Sequence, residues 1–249
     1  TTPLDADRFT ALMRHDRFPL ASAYDPAWVW TDHMGPNVLW LSEYLTEVLD
    51  LRPGMRVLDM GCGTAISSIF LARELDVEVW AADLWIPAHH NFARIAEAGL
   101  MEQVYAVHAE ARAYPFQADF FDAAVSIDAY HYWGCTPGHV DYVAGFVKPG
   151  GTIGIVVPGD TDDTPTVTGP GGEEITTFHS DRWWRNLWEQ SERIEVVSAE
   201  MLDGGWQLWR RFVDAGIAWH GTDESGGDAA MLDAHPSLGF TRIVARRLP

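Results

Sequence analysis

The sequence predicts a single α/β domain built on a mostly parallel β-sheet with helices on both faces. Three observations lead there. Short apolar runs rich in β-branched residues recur through the middle of the chain, stretches of helical periodicity separate most of them, and a glycine turn joins the first run to the first such helix. Strands that alternate with helices form a parallel sheet through right-handed crossovers, and ligands of such sheets bind at the carboxyl ends of the strands, near the point where strand order reverses. With 249 residues, 47% of them hydrophobic, the chain suits one domain with a full core rather than two.

The run Arg56 to Asp59 is the first strand, and Ala65 to Leu75 repeats apolar residues at Ile66, Ile69, Phe70 and Leu71 as a helix does. Glu78 to Asp83 is a second buried strand, followed by Pro87 in the first turn of a helix containing Phe92, Ile95 and Ala96. Val104 to Ala109, Ala123 to Ile127, Thr152 to Val157, Glu195 to Ala199 and Phe240 to Arg246 bring the strands to seven. Further helices are expected from about Asp181 to Gln190 and from Gly205 to Ile217. Residues 158–180 are too long for an ordinary connection and are expected to form a lid-like loop, and Gly221 to Asp233 a surface loop. Residues 1–50 are expected to be an N-terminal helical cap, helical after Pro36 with Val38, Leu41, Leu45 and Val48 or Leu49 on one face. Residues 51–249 would then be the binding domain.

The formal charge of −19, with Lys148 the only lysine, argues against a nucleic-acid partner, because affinity for phosphate backbones comes mainly from cationic side chains. No apolar run approaches the roughly 20 residues that cross a bilayer, and Thr1 to Asp5 lacks the basic end of a signal peptide, so a cytoplasmic protein with no membrane partner is expected. Cys62 and Cys135 lack metal spacing and are read as free thiols. No His-Glu-x-x-His or paired Cys-x-x-Cys occurs, and Asp160 to Asp163 is read as a solvated loop, so no metal is expected.

The segment Val57-Leu58-Asp59-Met60-Gly61-Cys62-Gly63-Thr64-Ala65 carries the chemistry, since glycines at a strand-to-helix turn let the backbone approach a ligand. Acidic residues recur at the ends of the next strands: Asp83, where a carboxylate can accept both hydroxyls of a ribose, then Glu110, then Asp128 in Ser126-Ile127-Asp128-Ala129-Tyr130-His131-Tyr132-Trp133. A dinucleotide fingerprint would need a third glycine where Ile66 stands.

On these residues the chain resembles the class I S-adenosylmethionine-dependent methyltransferases over roughly Val57 to Val157. Ala81-Ala82-Asp83, Ala109-Glu110-Ala111, Phe121 to Val125 and Phe146-Val147-Lys148-Pro149-Gly150-Gly151 resemble the family's later motifs. The stretches Asp32 to Trp40, Asp128 to Trp133 and Phe178 to Trp184 are similar to an uncharacterised bacterial small-molecule branch. The resemblance implies a Rossmann-like, doubly wound seven-stranded sheet and S-adenosylmethionine as cofactor. It implies that Asp59, Gly61 and Gly63 hold the methionine end, Asp83 and Leu84 the ribose side, Glu110 and Ala111 the adenine, with Asp128 close by.

The implied reaction is in-line transfer of a methyl group to a small molecule. Aligning the nucleophile supplies much of the rate, and a general base helps where the acceptor must lose a proton. His131 is the first candidate base, His179 the second, and Asp128 is a further catalytic candidate. Tyr130, Tyr132, Trp133 and Trp183 are expected to line the acceptor site, which suits a flat, aromatic acceptor. The alternative is a protein that binds S-adenosylmethionine without turnover. Oligomeric state is not legible.

Overall fold

The computed structural model describes residues 2–163, 166–222 and 227–249. The helices are α1 (Ala6–Met13), α2 (Pro26–Asp32), α3 (Val38–Thr46), α4 (Ile66–Leu75), α5 (Ala88–Glu97), α6 (His139–Ala144), α7 (Asp181–Trp188), α8 (Gly205–His220) and α9 (Asp228–Ala234). The strands are β1 (Arg56–Met60), β2 (Glu78–Asp83), β3 (Val104–His108), β4 (Phe121–Ile127), β5 (Val147–Asp160), β6 (Val167–Thr168), β7 (Glu174–Ile175), β8 (Ile194–Met201) and β9 (Leu238–Arg247).

Seven of these strands make one sheet in the order β3-β2-β1-β4-β5-β9-β8, while β6 and β7 pair as a separate hairpin. Strands β1 to β5 are parallel. Strand β9 runs antiparallel to both neighbours, so it alone is reversed. The chain leaves β1 toward β2 and β3, then returns to the other side of β1 as β4. The reversal of strand order therefore falls between β1 and β4, where α/β sheets open a ligand crevice.

Side chains alternate across the sheet with a period of two, and this sorts the core into two layers. Val57, Val79, Ala81, Ala123, Val125 and Val156 face a layer that includes Leu41 and Leu45 of α3, Ile69 and Phe70 of α4, and Leu208 and Phe212 of α8. Leu58, Met60, Ala82, Ala124, Ile153 and Ile155 face the opposite layer, with Val140 and Val143 of α6 and Trp184 and Trp188 of α7.

Four sequence expectations change. The N-terminal part holds two helices before Pro36: Asp5 caps α1 by accepting from the Arg8 N–H, and Asp25 caps α2, with Pro26 in its first turn. The helix ends at Thr46, and of the two alternatives for its apolar face Leu49, just past its end, is buried while Val48 is exposed. Strand β5 continues to Asp160, and the expected lid loop then folds in part into the β6–β7 hairpin, with residues 164–165 outside the described part. The segment read as a loop from Gly221 to Asp233 contains most of α9, and residues 223–226 lie outside the described part. No helix among the described residues is long and apolar enough to cross a membrane.

Candidate functional site

A cavity of about 240 Å³ opens at the carboxyl ends of β1, β2, β3 and β4. Its backbone wall continues the sheet ladder. The Gly61 and Cys62 N–H groups donate to the Ala82 carbonyl at 2.8 and 3.1 Å, Ala109 N–H to the Asp83 carbonyl at 2.9 Å, and Asp128 N–H to the Val156 carbonyl at 2.8 Å. Each strand thus delivers its first loop residue to the crevice in fixed register.

The glycine turn is shaped by its neighbours. Gly61 has φ +69°, and a Cβ there would lie 2.6 Å from the Trp133 ring and 2.7 Å from the Ala129 methyl. Only glycine fits both the backbone conformation and the space. Asp83 ties this turn to the next strand: its Oδ2 accepts from Gly63 N–H at 2.9 Å, and its Oδ1 from Trp85 and Ile86 N–H at 2.7 and 2.8 Å. A carboxylate has about four acceptor positions, so the three internal bonds leave Asp83 one for a ligand.

Asp59 does not line the cavity. It points to the α4 side of the sheet, fully buried, where its Oδ2 accepts from the Ser67 and Ser68 hydroxyls at 2.6 and 2.7 Å. Burial pushes its carboxyl up to about 6, opposed by the two serine bonds and reinforced by the charge of Asp83. It fastens the end of β1 to the start of α4 and shapes the turn from behind.

Leu84, Glu110 and Ala111 line the cavity. Glu110 Oε1 accepts from the Arg112 N–H at 3.3 Å, and the Arg112 guanidinium lies 3.7 Å from the same oxygen.

The loop after β4 divides its side chains. Asp128, Ala129, Tyr132 and Trp133 line the cavity, whereas Tyr130 and His131 do not. Tyr130 is fully buried among Trp133, Trp184 and Trp188, with its hydroxyl 3.0 Å from His139 Nδ1. His131 is 3% exposed, packs against Tyr132 and Phe178, and its Nδ1 has no partner. Burial pushes its imidazole down to about 3, so it stays neutral and is a poor proton acceptor near neutral pH. His179 and Trp183 stack on each other at 3.5 Å outside the cavity. Of the residues expected to act as base or to contact the acceptor, Asp128, Tyr132 and Trp133 line the cavity, while His131, His179, Tyr130 and Trp183 do not.

Asp128 is different. Its backbone is left-handed at φ +57°, the residue lines the cavity, and burial, with the charge of Asp228 secondary, holds its carboxyl well above the usual carboxylate range. A Cβ on Gly35 would collide with its Oδ2, so the N-terminal segment presses directly on it.

That segment is the main feature the sequence reading did not place in the site. Met34, Pro36 and Val38 line the cavity. The strap is stapled there by the Arg94–Asp32 ion pair at 2.8 Å and by the Thr64 hydroxyl donating to the Asp32 carbonyl at 2.5 Å. The unusual stretch Asp32-His33-Met34-Gly35-Pro36 was the available signal. The described residues of the 158–180 loop contribute nothing to the cavity lining.

A methyltransferase-domain family model matches residues 57–151, from the start of the glycine turn's strand into β5. This stretch is similar to a methyltransferase domain. Among curated relatives, the methyltransferase GfsG of Streptomyces halstedii is 27% identical over 179 residues, which is 69% of this chain and 61% of GfsG. The chain thus spans less than two thirds of the relatives it matches, down to 22% for an Arabidopsis thaliana phosphoethanolamine N-methyltransferase. Among solved structures, the geranyl diphosphate C-methyltransferase of Streptomyces coelicolor A3(2) matches the methyltransferase domain and its flanks with a TM-score of 0.71 at 14% identity, covering 100% of this chain and 99% of that one. The [4+2]-cyclase SpnF has the same fold, with a TM-score of 0.64 at 21% identity, over 84% of this chain and 81% of its own.

Proposed function

We propose that the protein transfers a methyl group from S-adenosylmethionine to a small molecule. The observation that carries this reading is the cradle at the strand ends: a glycine turn with no room for a Cβ, tied by Asp83 to β2 and continued by Glu110 and Asp128. Three carboxylates line the cavity, and among the described residues Arg112, paired with Glu110, is the cation there. Such a lining suits a ligand that is itself cationic and rich in hydrogen-bond donors, as S-adenosylmethionine is. The match to the methyltransferase domain and the names of the relatives support the same choice.

Bound there, the cofactor supplies a methyl carbon activated by its positive sulfur. The chain's own residues do the rest. Gly61 and Gly63 keep the wall free of side chains, the last acceptor position of Asp83 takes a ribose hydroxyl, Glu110 takes the adenine amine, and Leu84 and Ala111 pack beside the base. Met34 and Pro36 on one side, with Tyr132 and Trp133 on the other, exclude water and align the acceptor. Alignment of this kind is worth several kcal/mol of the barrier, of the order of 7–11 in favourable cases. Of the acid–base candidates Asp128, His131 and His179, Asp128 is the one in the cavity lining. The net charge of −19 favours a small-molecule acceptor over nucleic acid.

The test is methyl-labelled S-adenosylmethionine supplied with a metabolite extract. The reading expects label on a low-molecular-weight product together with formation of S-adenosylhomocysteine. Cofactor binding without transfer across such extracts would favour a non-methylating role on the same fold, as the fold shared with the cyclase illustrates.

A further inference from the structure

The Gly63–Thr64 segment is tied down at three points. Asp83 Oδ2 accepts from the Gly63 N–H at 2.9 Å, the Thr64 hydroxyl donates to the Asp32 carbonyl at 2.5 Å, and Asn91 Nδ2 donates to the Gly63 carbonyl at 2.8 Å. Asn91 sits on α5, is 1% exposed and does not line the cavity. Arg94, about one turn further along α5, holds the Asp32 carboxylate, so a single helix grips both the glycine turn and the strap.

Packing alone does not account for an amide at this position. Ile95, one turn away on the same helix, is fully buried in the apolar layer, yet Asn91 brings in a side-chain oxygen, Oδ1, that has no partner among the described residues. A buried acceptor left unpaired destabilises a fold. What the amide supplies is a donor for Gly63: a carbonyl only accepts, so the NH2 group is the one that faces it.

That bond also orients the next N–H. A trans peptide is planar, with its C=O and N–H pointing in opposite directions, and no peptide bond among the described residues is cis. With the Gly63 carbonyl turned to Asn91, the Thr64 N–H points away from Asn91, and it has no acceptor among the described residues. Thr64 itself lines the cavity. Strand order gives the part of a bound cofactor that meets it. Adenine at Glu110 after β3 and ribose at Asp83 after β2 bring the amino-acid end to the turn after β1, the next strand of the sheet.

Resting on the methyl-transfer reading, we propose that Asn91 is a positioning residue for S-adenosylmethionine: it holds the Gly63–Thr64 peptide so that the Thr64 N–H donates to the cofactor's α-carboxylate. Gly63 has φ +53°, in a region that glycine enters and leaves freely, so without Asn91 this peptide can turn over and withdraw the donor.

The test is calorimetric titration of the full chain with S-adenosylhomocysteine and with 5′-methylthioadenosine, which keeps adenine, ribose and sulfur but lacks the amino-acid end. Failure of the parent to bind S-adenosylhomocysteine would overturn the methyl-transfer reading itself. In Asn91→Leu, affinity for S-adenosylhomocysteine should fall about tenfold, the effect of one hydrogen bond to a charged group, while affinity for 5′-methylthioadenosine stays within about twofold of the parent. Asn91→Asp keeps the shape and donates to the Gly63 carbonyl only while its carboxyl is protonated. The ratio of its S-adenosylhomocysteine affinity to the parent's should therefore be near unity in acid and fall about tenfold as pH rises. Cys62, whose Sγ lies 3.7 Å from the Asn91 amide, Asp83 and the Asp32–Arg94 pair are present in both proteins and cancel in that ratio. Should Asn91→Leu not fold, Asn91→Asp carries the test alone. Parent-like affinity of Asn91→Leu for S-adenosylhomocysteine, equal losses for the two ligands, or a ratio in Asn91→Asp that does not change with pH would each overturn the proposal and leave the methyl-transfer reading standing.

Discussion

The turn after β1 and the loop after β4 press against each other at one end of the sheet, both lining the cavity, and they obey different rules. In the turn, the backbone does the work: Gly61, Cys62 and Gly63 all line the cavity, because the ladder bonds to Ala82 and the bond from Gly63 to Asp83 fix the path of the chain itself. In the loop, side chains do the work, and they alternate between cavity and core. The loop winds through a 3₁₀ turn at Tyr130–Tyr132, and Asp128, Ala129, Tyr132 and Trp133 line the cavity while Tyr130 and His131 lie in the core. A site made of backbone can be read from a motif. A site made of side chains needs the local winding as well.

The largest test of that contrast is Asp83→Ala. It removes the acceptor of three N–H bonds and one ligand contact together, so affinity for S-adenosylmethionine should fall by about ten- to a hundredfold in a variant that calorimetry and circular dichroism show to be folded. Unchanged affinity would mean that the turn does not depend on its tie to β2. Gly61→Ala is expected to come next, at about tenfold, because its Cβ collides with the Trp133 ring and a left-handed backbone costs a non-glycine residue roughly 1–2 kcal/mol. An equilibrium titration that finds parent-like affinity would show that the two loops are not pressed together.

His131 sharpens the other side of the comparison. Its folded pKa, pushed down to about 3, lies below the ordinary histidine value of 6.5, so the unfolded chain takes up a proton first as pH falls. Stability from this group is full above 6.5 and is lost as pH drops from 6.5 toward 3, with a slope of up to about 1.4 kcal/mol per pH unit. In His131→Phe, denaturant unfolding across that range should show a shallower pH dependence, while turnover near neutral pH stays within about threefold of the parent, well short of the loss expected on removing a general base. A hundredfold loss of turnover with cofactor affinity kept would return the histidine to the chemistry.

The fold was legible because it rests on period and punctuation. The seven strands and most helices between residues 56 and 220 show in the apolar pattern, and the reversal point follows from their order. The candidate site was legible where backbone or strand ends make it, at Gly61, Gly63, Asp83, Leu84, Glu110, Ala111 and Asp128. Asp59 escaped because strand alternation turns it to the α4 side, beneath Ser67 and Ser68. Trp183 and His179 escaped because they satisfy each other by stacking away from the crevice. The strap at Met34 to Val38 escaped because its place depends on long-range contacts, Arg94 with Asp32 and Gly35 with Asp128, that no local pattern encodes.

The strap gives the smallest expected effect. The Asp32–Arg94 pair is partly exposed, and pairs of this kind contribute roughly 0–1 kcal/mol. Asp32→Ala should therefore leave stability nearly unchanged and weaken cofactor binding only about threefold, through looser seating of Met34 and Gly35. A tenfold loss would make the strap as much a part of the cofactor cradle as the glycine turn.

The most direct measurement is a crystal structure of the chain grown with S-adenosylhomocysteine. The account predicts the ligand in the cavity between β1 and β4, its ribose on Asp83, its adenine beside Leu84 and Glu110, its sulfur end toward Asp128, and His131 still buried without contact to it. Ligand density elsewhere, or in the same cavity with the ribose away from Asp83, would contradict it.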